Sequence, residues 1–362
     1  MGSNLADNLS VRRADLLAGQ EDGSAWHRAL RSLPVRILSL YGHPVVQENF
    51  PLVAIVAAYI IAAYGVHAFF GIRDKLVLLY CPDWFFRLVL TFSAIFIGLH
   101  LRKRSYVRYF TPRYLAGYFV ILILMPVYKN AIASFKQTIP LIHDFSWDFA
   151  LMKLDRALHL GHHPWELLSP TLAYPGLLHA IDYLYLVWFP VLFAFSLWMG
   201  WTRRRRLRLH FFVSTLLVWG LLGSVLGTLF SSAGPCYYSS IVGAAENPFA
   251  PLMSRLAEIH GSVYLWALHN QAGLWQAYNE GYWMQFGGIS AMPSVHLGMA
   301  TVFALTAFNV HRWLGVIFAG YLCIIQAGAV LLGWHYAVDG YAGIILAWII
   351  WRAAGQLVPR EL

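Results

Sequence analysis

Between residues 51 and 351 the chain alternates long apolar runs with short polar breaks. Eight runs are candidates to cross a bilayer: 51–70, 85–101, 114–128, 177–201, 209–230, 291–310, 313–334 and 336–351. A helix needs about 20 residues to cross a hydrocarbon core of about 30 Å, so the third and eighth runs are short for the task. The pattern predicts an all-α, polytopic membrane helix bundle. Two further stretches keep a helical repeat of apolar positions without being apolar all round. Trp26, Leu30, Leu33, Ile37 and Leu40 recur between Arg28, Arg31 and Arg36, which suits a helix on the inner membrane surface, interrupted at Pro34. Within 244–285, Leu252, Leu256, Ile259 and Val263 are in helical register and Trp266, Trp275, Tyr278, Tyr282 and Trp283 follow. These aromatics favour the membrane interface, so the segment reads as outer-surface helices, either a lid over a site or an interfacial belt.

Composition agrees: 59% of the 362 residues are apolar and only 12% charged, which excludes an ordinary soluble domain. The net charge of +9 raises the question of nucleic acid, and its distribution answers it. With the N-terminus taken as cytoplasmic, the basic clusters before residue 37, at 102–113 and at 203–208 fall on one side, with Arg312, Arg352 and Arg360. Arg73, Lys75, Arg87, Lys129, Lys136, Lys153, Arg156 and Arg255 fall on or near the other, as the positive-inside rule expects. The charge is therefore topology, and attraction to anionic headgroups is secondary. Three cysteines show no metal-type spacing; Cys81 and Cys236 share the outer side, where a disulfide between them is conceivable and two unpaired thiols are the first reading. The first fifty residues, charged and broken by Pro34 and Pro44, hold no cleavable signal pattern, so the first run is read as the insertion signal.

The chemistry concentrates in 287–339, which contains Ser290-Ala-Met-Pro-Ser-Val-His296 before one apolar run and Gly333-Trp-His-Tyr-Ala-Val-Asp339 after the next. Pro293 and Ser294 suit the first turn of a helix, whose unpaired N–H groups attract anions. On a helix, His335 and Asp339 share a face, with the carboxylate within reach of the imidazole. The two intervening spans cross and return, so His296 and His335 are expected at the same membrane face.

These residues carry a resemblance. Pro-Ser-x-His followed about forty residues later by His-x-x-x-Asp is similar to the second and third signatures of the type 2 phosphatidic acid phosphatase superfamily. Gly234-Pro-Cys-Tyr237-Tyr238 resembles an element of its inositol phosphorylceramide synthase branch. Lys129 and Lys136 are spaced like the first signature, with Lys136 where an Arg stands and Gln137 where a Pro stands; the lysines serve equally well as snorkelling anchors. The resemblance implies a six-helix phosphatase-like core in a catalytic membrane domain at 111–352, preceded by a cytoplasmic tail at 1–50 and two scaffold spans at 51–110, and followed by a cytoplasmic tail at 353–362. It implies His335 as nucleophile, Asp339 as its orienting acid and His296 as general acid and base, with no metal or other cofactor. Ser294, Tyr237, Tyr238, Lys129, Lys136, Arg255 and Asp182 are the candidate substrate contacts.

Asp182 lies inside a span, where a carboxylate costs about 2.5–3.5 kcal/mol at mid-helix and needs a partner. Structural satisfaction is the first reading. Asp148, Asp155, His159, His162, His163 and Glu166 raise a metal site, but Asp148 and Asp155 beside Leu151, Leu154 and Leu158 read as the polar side of a surface helix ending at Gly161.

One departure bears on substrate. Phosphatases of the superfamily carry an Arg six residues before the nucleophile, and here that position is Ala329. A phosphomonoester bears close to two charges and a diester one, so the loss points to a diester donor. The expected activity is transfer of a phospho-headgroup to a lipid alcohol. The alternatives are a phosphatase acting on a lipid phosphate or polyprenyl pyrophosphate and, remotely, a non-enzymatic transporter. The expected location is the plasma (inner) membrane, with the site on the extracytoplasmic face and both termini cytoplasmic.

Overall fold

The computed structural model describes residues 44–72, 76–79, 91, 94, 98, 111–243, 245, 247–284 and 287–358. The surface helix expected near 26–40, the span expected at 85–101 apart from residues 91, 94 and 98, the 353–362 tail beyond residue 358 and Cys81 lie outside them.

Among the described residues all regular structure is helical, and six helices are long and apolar enough to cross a membrane. The protein is a multi-pass membrane protein. The chain begins with α1 (Pro44–Phe69) and α2 (Pro112–Ile142). Three shorter elements follow: α3 (Asp148–Leu158), α4 (Pro164–Leu168) and a 3-10 turn (Ser169–Ala173). The next span joins α5 (Pro175–Leu186) to α6 (Trp188–Trp201). After it α7 (Arg205–Gly220) runs on through a widened turn at Leu221–Leu226 to Leu229. Two non-spanning helices, α8 (Ala250–Ser262) and α9 (Trp266–Glu280), precede α10 (Val295–Val310), α11 (Arg312–Leu331) and α12 (Ala337–Leu357).

The expected span 114–128 is corrected: α2 has 31 residues and carries Lys129 and Lys136 within it. Hydropathy falls after residue 128 because polar residues recur at helical spacing, yet each has a neighbour to meet. The Asn130 amide donates to Leu78 O, Ser134 Oγ accepts from Val77 N, Gln137 pairs with Met284, and Thr138 meets His67 Nε2 at 2.9 Å. The opposite face, with Ile132, Phe135 and Ile139 buried, continues the apolar stripe.

The span expected at 291–310 is corrected in the other direction: it is shorter, starting at Val295. Its 16-residue helix, α10, is buried nearly all round, packed centrally against α7, α11 and α12. A largely apolar helix buried on nearly every side belongs in the middle of a bundle. Gly298 fits against Val218 and Leu222 of α7, and Gly343 of α12 lies on the Ser294 carbonyl, where a side chain would collide. These small residues bring the start of α10 against the start of α12.

Candidate active site

Three loop segments meet at the end of the bundle where α10 and α12 begin. Their backbones are stitched together: Ala291 N donates to Ser232 O at 2.9 Å, Cys236 N to Gly333 O at 2.9 Å, and Ser294 N to Asp339 O at 3.0 Å. Gly234 makes the fit possible. Its φ of +99° is one L side chains rarely adopt, and a Cβ there would lie 2.6 Å from Trp334 O.

His335 sits two residues before α12 rather than on it. Asp339, in the first turn, reaches back with one oxygen to accept from His335 Nδ1 at 3.3 Å and from Tyr336 N at 3.0 Å. This is the returning half of a capping box, so the helix start itself orients the carboxylate. With Nδ1–H donated to Asp339, the lone pair lies on Nε2, which faces Ser294 Oγ at 3.2 Å. Burial, and after it the charge of Lys136, hold the His335 imidazole down at about 3, well below its usual value of 6.5. Ser294 also caps α10 by accepting from Leu297 N. Its own N–H is taken by Asp339 O, so this donor at the start of α10 is already engaged and does not face an anion.

His296 lies across from His335, ring centroids 6.3 Å apart. Trp188 packs on it at 4.2 Å and donates its indole N–H to His296 O, and Tyr185 stacks at 5.2 Å. Nucleophilic approach at about 3–3.5 Å and a hydrogen bond of about 2.6–3.2 Å together span such a gap, so one phosphoryl group can touch both rings.

Lys136 is the cation among the described residues whose charge bears on both imidazoles. Its stem is packed by the segment before α10: a Cβ on Gly288 would lie 2.6 Å from Lys136 Cβ. Gln137 fastens that segment, accepting from Met284 N at 2.7 Å and donating to Met284 O at 3.0 Å.

The other candidates are placed differently. Asp182 accepts from Trp266 N and Ala267 N at 2.6 and 3.0 Å, so both oxygens are engaged in capping α9. Arg255 pairs with Glu258 at 2.8 Å and donates to Leu172 O. Tyr237 donates its hydroxyl to Gln271 O and stacks on Trp275, while the Tyr238 ring is buried with Leu151, Phe249 and Tyr336. Lys129 lies two turns below Lys136 on the same helix.

Asp148 and Asp155 correct the reading of α3 as polar side outward. Both are buried, as is Leu151 between them, whereas Leu154 and Leu158 are exposed. Asp148 accepts from Ala233 N and Gly234 N, each at 2.8 Å, and Asp155 accepts from Ala337 N and Val338 N, each at 2.8 Å. Burial raises both carboxyls above their ordinary range, and these N–H donors oppose the rise. The signal was in the spacing, since 148, 151 and 155 share one helical face. His159 is engaged as well, through Asp155 O and Tyr341 Oη.

A family model of the PAP2 superfamily matches residues 149–353, more than half of the chain. The chain belongs to the PAP2 superfamily. It is an enzyme of the type 2 phosphatidic acid phosphatase kind, a lipid phosphatase or phosphotransferase. Neither a curated protein nor a solved structure matches it. The PAP2 match takes in α3 from its second residue and the segments that carry His296 and His335, and does not include Lys129 and Lys136 on α2.

Proposed function

We propose that this PAP2 enzyme is a lipid phosphotransferase, similar in activity to inositol phosphorylceramide synthases, that works through a phospho-histidine. The reading is supported by Lys136, the one cation among the described residues whose charge bears on both His296 and His335, with buried Ala329 where phosphatases of the superfamily place an Arg. One lysine balances the single charge of a phosphodiester and falls short of the nearly two charges of a monoester.

In this mechanism His335 Nε2 attacks phosphorus, and the bond from phosphorus to the diacylglycerol oxygen breaks. His296 gives that oxygen its proton, and Asp339 steadies the imidazolium formed on His335. The hydroxyl of a lipid alcohol then attacks the phospho-histidine, His296 takes its proton, and His335 is released with the headgroup phosphate carried over. Ser294 holds Nε2 in the resting site and turns to a phosphoryl oxygen when substrate arrives. The basic clusters at 102–113 and 203–208 support a site on the extracytoplasmic face.

The test is incubation of purified protein with an inositol phospholipid and, separately, with a lipid phosphomonoester, each with and without a lipid alcohol. Acceptor-dependent headgroup transfer, lost in His335→Ala, supports the reading. Free phosphate from the monoester without acceptor establishes a phosphatase instead.

A further inference from the structure

The two imidazoles are held by different means. His335 has the Asp339 carboxylate on its Nδ1, whereas among the described residues no hydrogen bond reaches a ring nitrogen of His296. The His296 ring is placed by other rings instead. Trp188 and Tyr185 pack on it at 4.2 and 5.2 Å, and Phe189 meets it edge-on at 5.8 Å, with planes 88° apart.

The sequence of this span accounts for the convergence. Positions 185, 188 and 189 follow the spacing of three and four that puts side chains on one helical face. Pro190 has no N–H to give to Leu186 O, and the span breaks between α5 and α6 at Val187, so the stripe of rings falls at the break. Tyr185 is fixed from behind as well. Trp334 stacks on it at 6.3 Å with planes 7° apart, and Gly328 of α11 leaves room for it, since a Cβ there would lie 3.2 Å from Tyr185 Cδ2. Tyr185 therefore touches both His296 and the residue that precedes His335.

We propose that Tyr185, with Trp188 beside it, is the positioning residue of His296: it sets that imidazole against His335, and its ring face steadies the imidazolium formed when His296 takes the proton of the lipid alcohol. The inference rests on the phosphotransfer reading above and adds what holds its acid–base residue. In that step the alcohol oxygen bonds to phosphorus, the bond from phosphorus to His335 Nε2 breaks, and the alcohol proton passes to His296. Positive charge then appears on a ring with no carboxylate bonded to it. A cation over an aromatic face is attracted by the ring quadrupole, the more so when both are desolvated, and Tyr185 and Trp188 are buried.

Tyr185→Leu removes the ring and Tyr185→Phe keeps it. Initial rates are measured with a lipid phosphodiester and a lipid alcohol, and phosphoenzyme formation with an aryl phosphodiester whose leaving group needs no proton. Tyr185→Leu is expected to lose about a hundredfold in kcat on the lipid pair, the scale of a displacement of about 1 Å, with phosphoenzyme formation from the aryl donor within about threefold of wild type. Tyr185→Phe should recover most of the loss. An equal fall with both donors, or a Phe variant no better than the Leu variant, overturns the proposal, because a general effect on folding does not distinguish the donors.

A second measurement is independent of turnover. Diethyl pyrocarbonate modifies free imidazoles, and its rate at His296 is followed by mass spectrometry of the peptide that carries this residue. His296 is expected to react faster in Tyr185→Leu than in wild type or Tyr185→Phe, and equal rates in all three overturn the proposed positioning. If wild type shows no His335-dependent chemistry on any donor, the phosphotransfer reading fails, and the modification rates still decide whether Tyr185 holds His296.

Discussion

Asp148 accepts the hydroxyl of Tyr336 at 2.8 Å, tying the first turn of α3 to the residue beside His335. The same carboxylate holds the Ala233 and Gly234 N–H groups, so one buried acid joins the glycine-proline loop to the start of α12. Asp155, two turns along α3, holds the next two N–H groups of α12. Together they form a cradle that fixes where Asp339, and through it His335, can stand. Donors held by ionised carboxylates are the stronger class of hydrogen bond, and their loss leaves buried groups unpaired.

Asp148→Asn places an amide N–H where backbone N–H groups already point, and is expected to cost about 1–3 kcal/mol of stability. Tyr336→Phe removes one bond, leaves both N–H groups satisfied, and is expected to cost about 1 kcal/mol. Activity should fall further in the first, because a displacement of about 1 Å at the site can cost about a hundredfold. Thermal unfolding in detergent and initial rates check the order; equal effects would remove the cradle from the account.

How much of this was legible in the sequence differs by residue. His296 and His335 could be put on one face because two apolar runs separate them, and a helical hairpin returns to the side it left. The end of α2 could not be placed, because Asn130, Ser134, Gln137 and Thr138 read as a loop until their partners on distant segments are known. The burial of Asp148 and Asp155 is hidden from the sequence for a similar reason. A carboxylate on a short amphipathic helix is ordinarily solvated, and nothing local reveals the backbone donors more than eighty residues away.

The two histidines are expected to fail differently. His335→Ala removes the proposed nucleophile and should abolish turnover and phosphoenzyme together. His296→Ala should slow turnover about a hundred- to ten-thousand-fold yet still form phosphoenzyme from a donor whose leaving group needs no proton. Asp339→Asn is expected to cost on the order of ten-thousand-fold, the scale seen when an orienting acid no longer selects the tautomer. Acid-labile loss and base-stable retention of phosphate on the protein, followed with labelled donor, distinguish the three.

The pH dependence follows from His335. Its folded value near 3 lies below the unfolded 6.5, so between those limits the unfolded chain binds the extra proton. Stability from this group is complete above pH 6.5 and is lost as pH falls toward 3. By the same shift, the acid limb of kcat/KM should lie well below 6.5. Burial sets most of the depression and Lys136 adds to it, so Lys136→Met should move the limb upward while lowering kcat/KM. A limb that stays put in Lys136→Met would mean the lysine does not act on this imidazole.

Two glycines give a matched comparison of backbone demand. Gly234 combines φ +99° and ψ 168° with a hypothetical Cβ 2.6 Å from Trp334 O, a conformation essentially reserved for glycine and a space closed by backbone. Gly261 lies in α8 with no heavy atom within 4 Å of its hypothetical Cβ. Gly234→Ala is therefore expected to cost about 1–3 kcal/mol and to displace the segment bearing His335, lowering activity with stability. Gly261→Ala should leave activity alone and raise stability by about 0.5–1 kcal/mol, since alanine loses less freedom in a helix. Melting temperature and initial rate measured on both variants separate strain at the site from a general effect of added bulk. A Gly234→Ala enzyme with wild-type activity would mean that the glycine-proline loop does not set the position of His335.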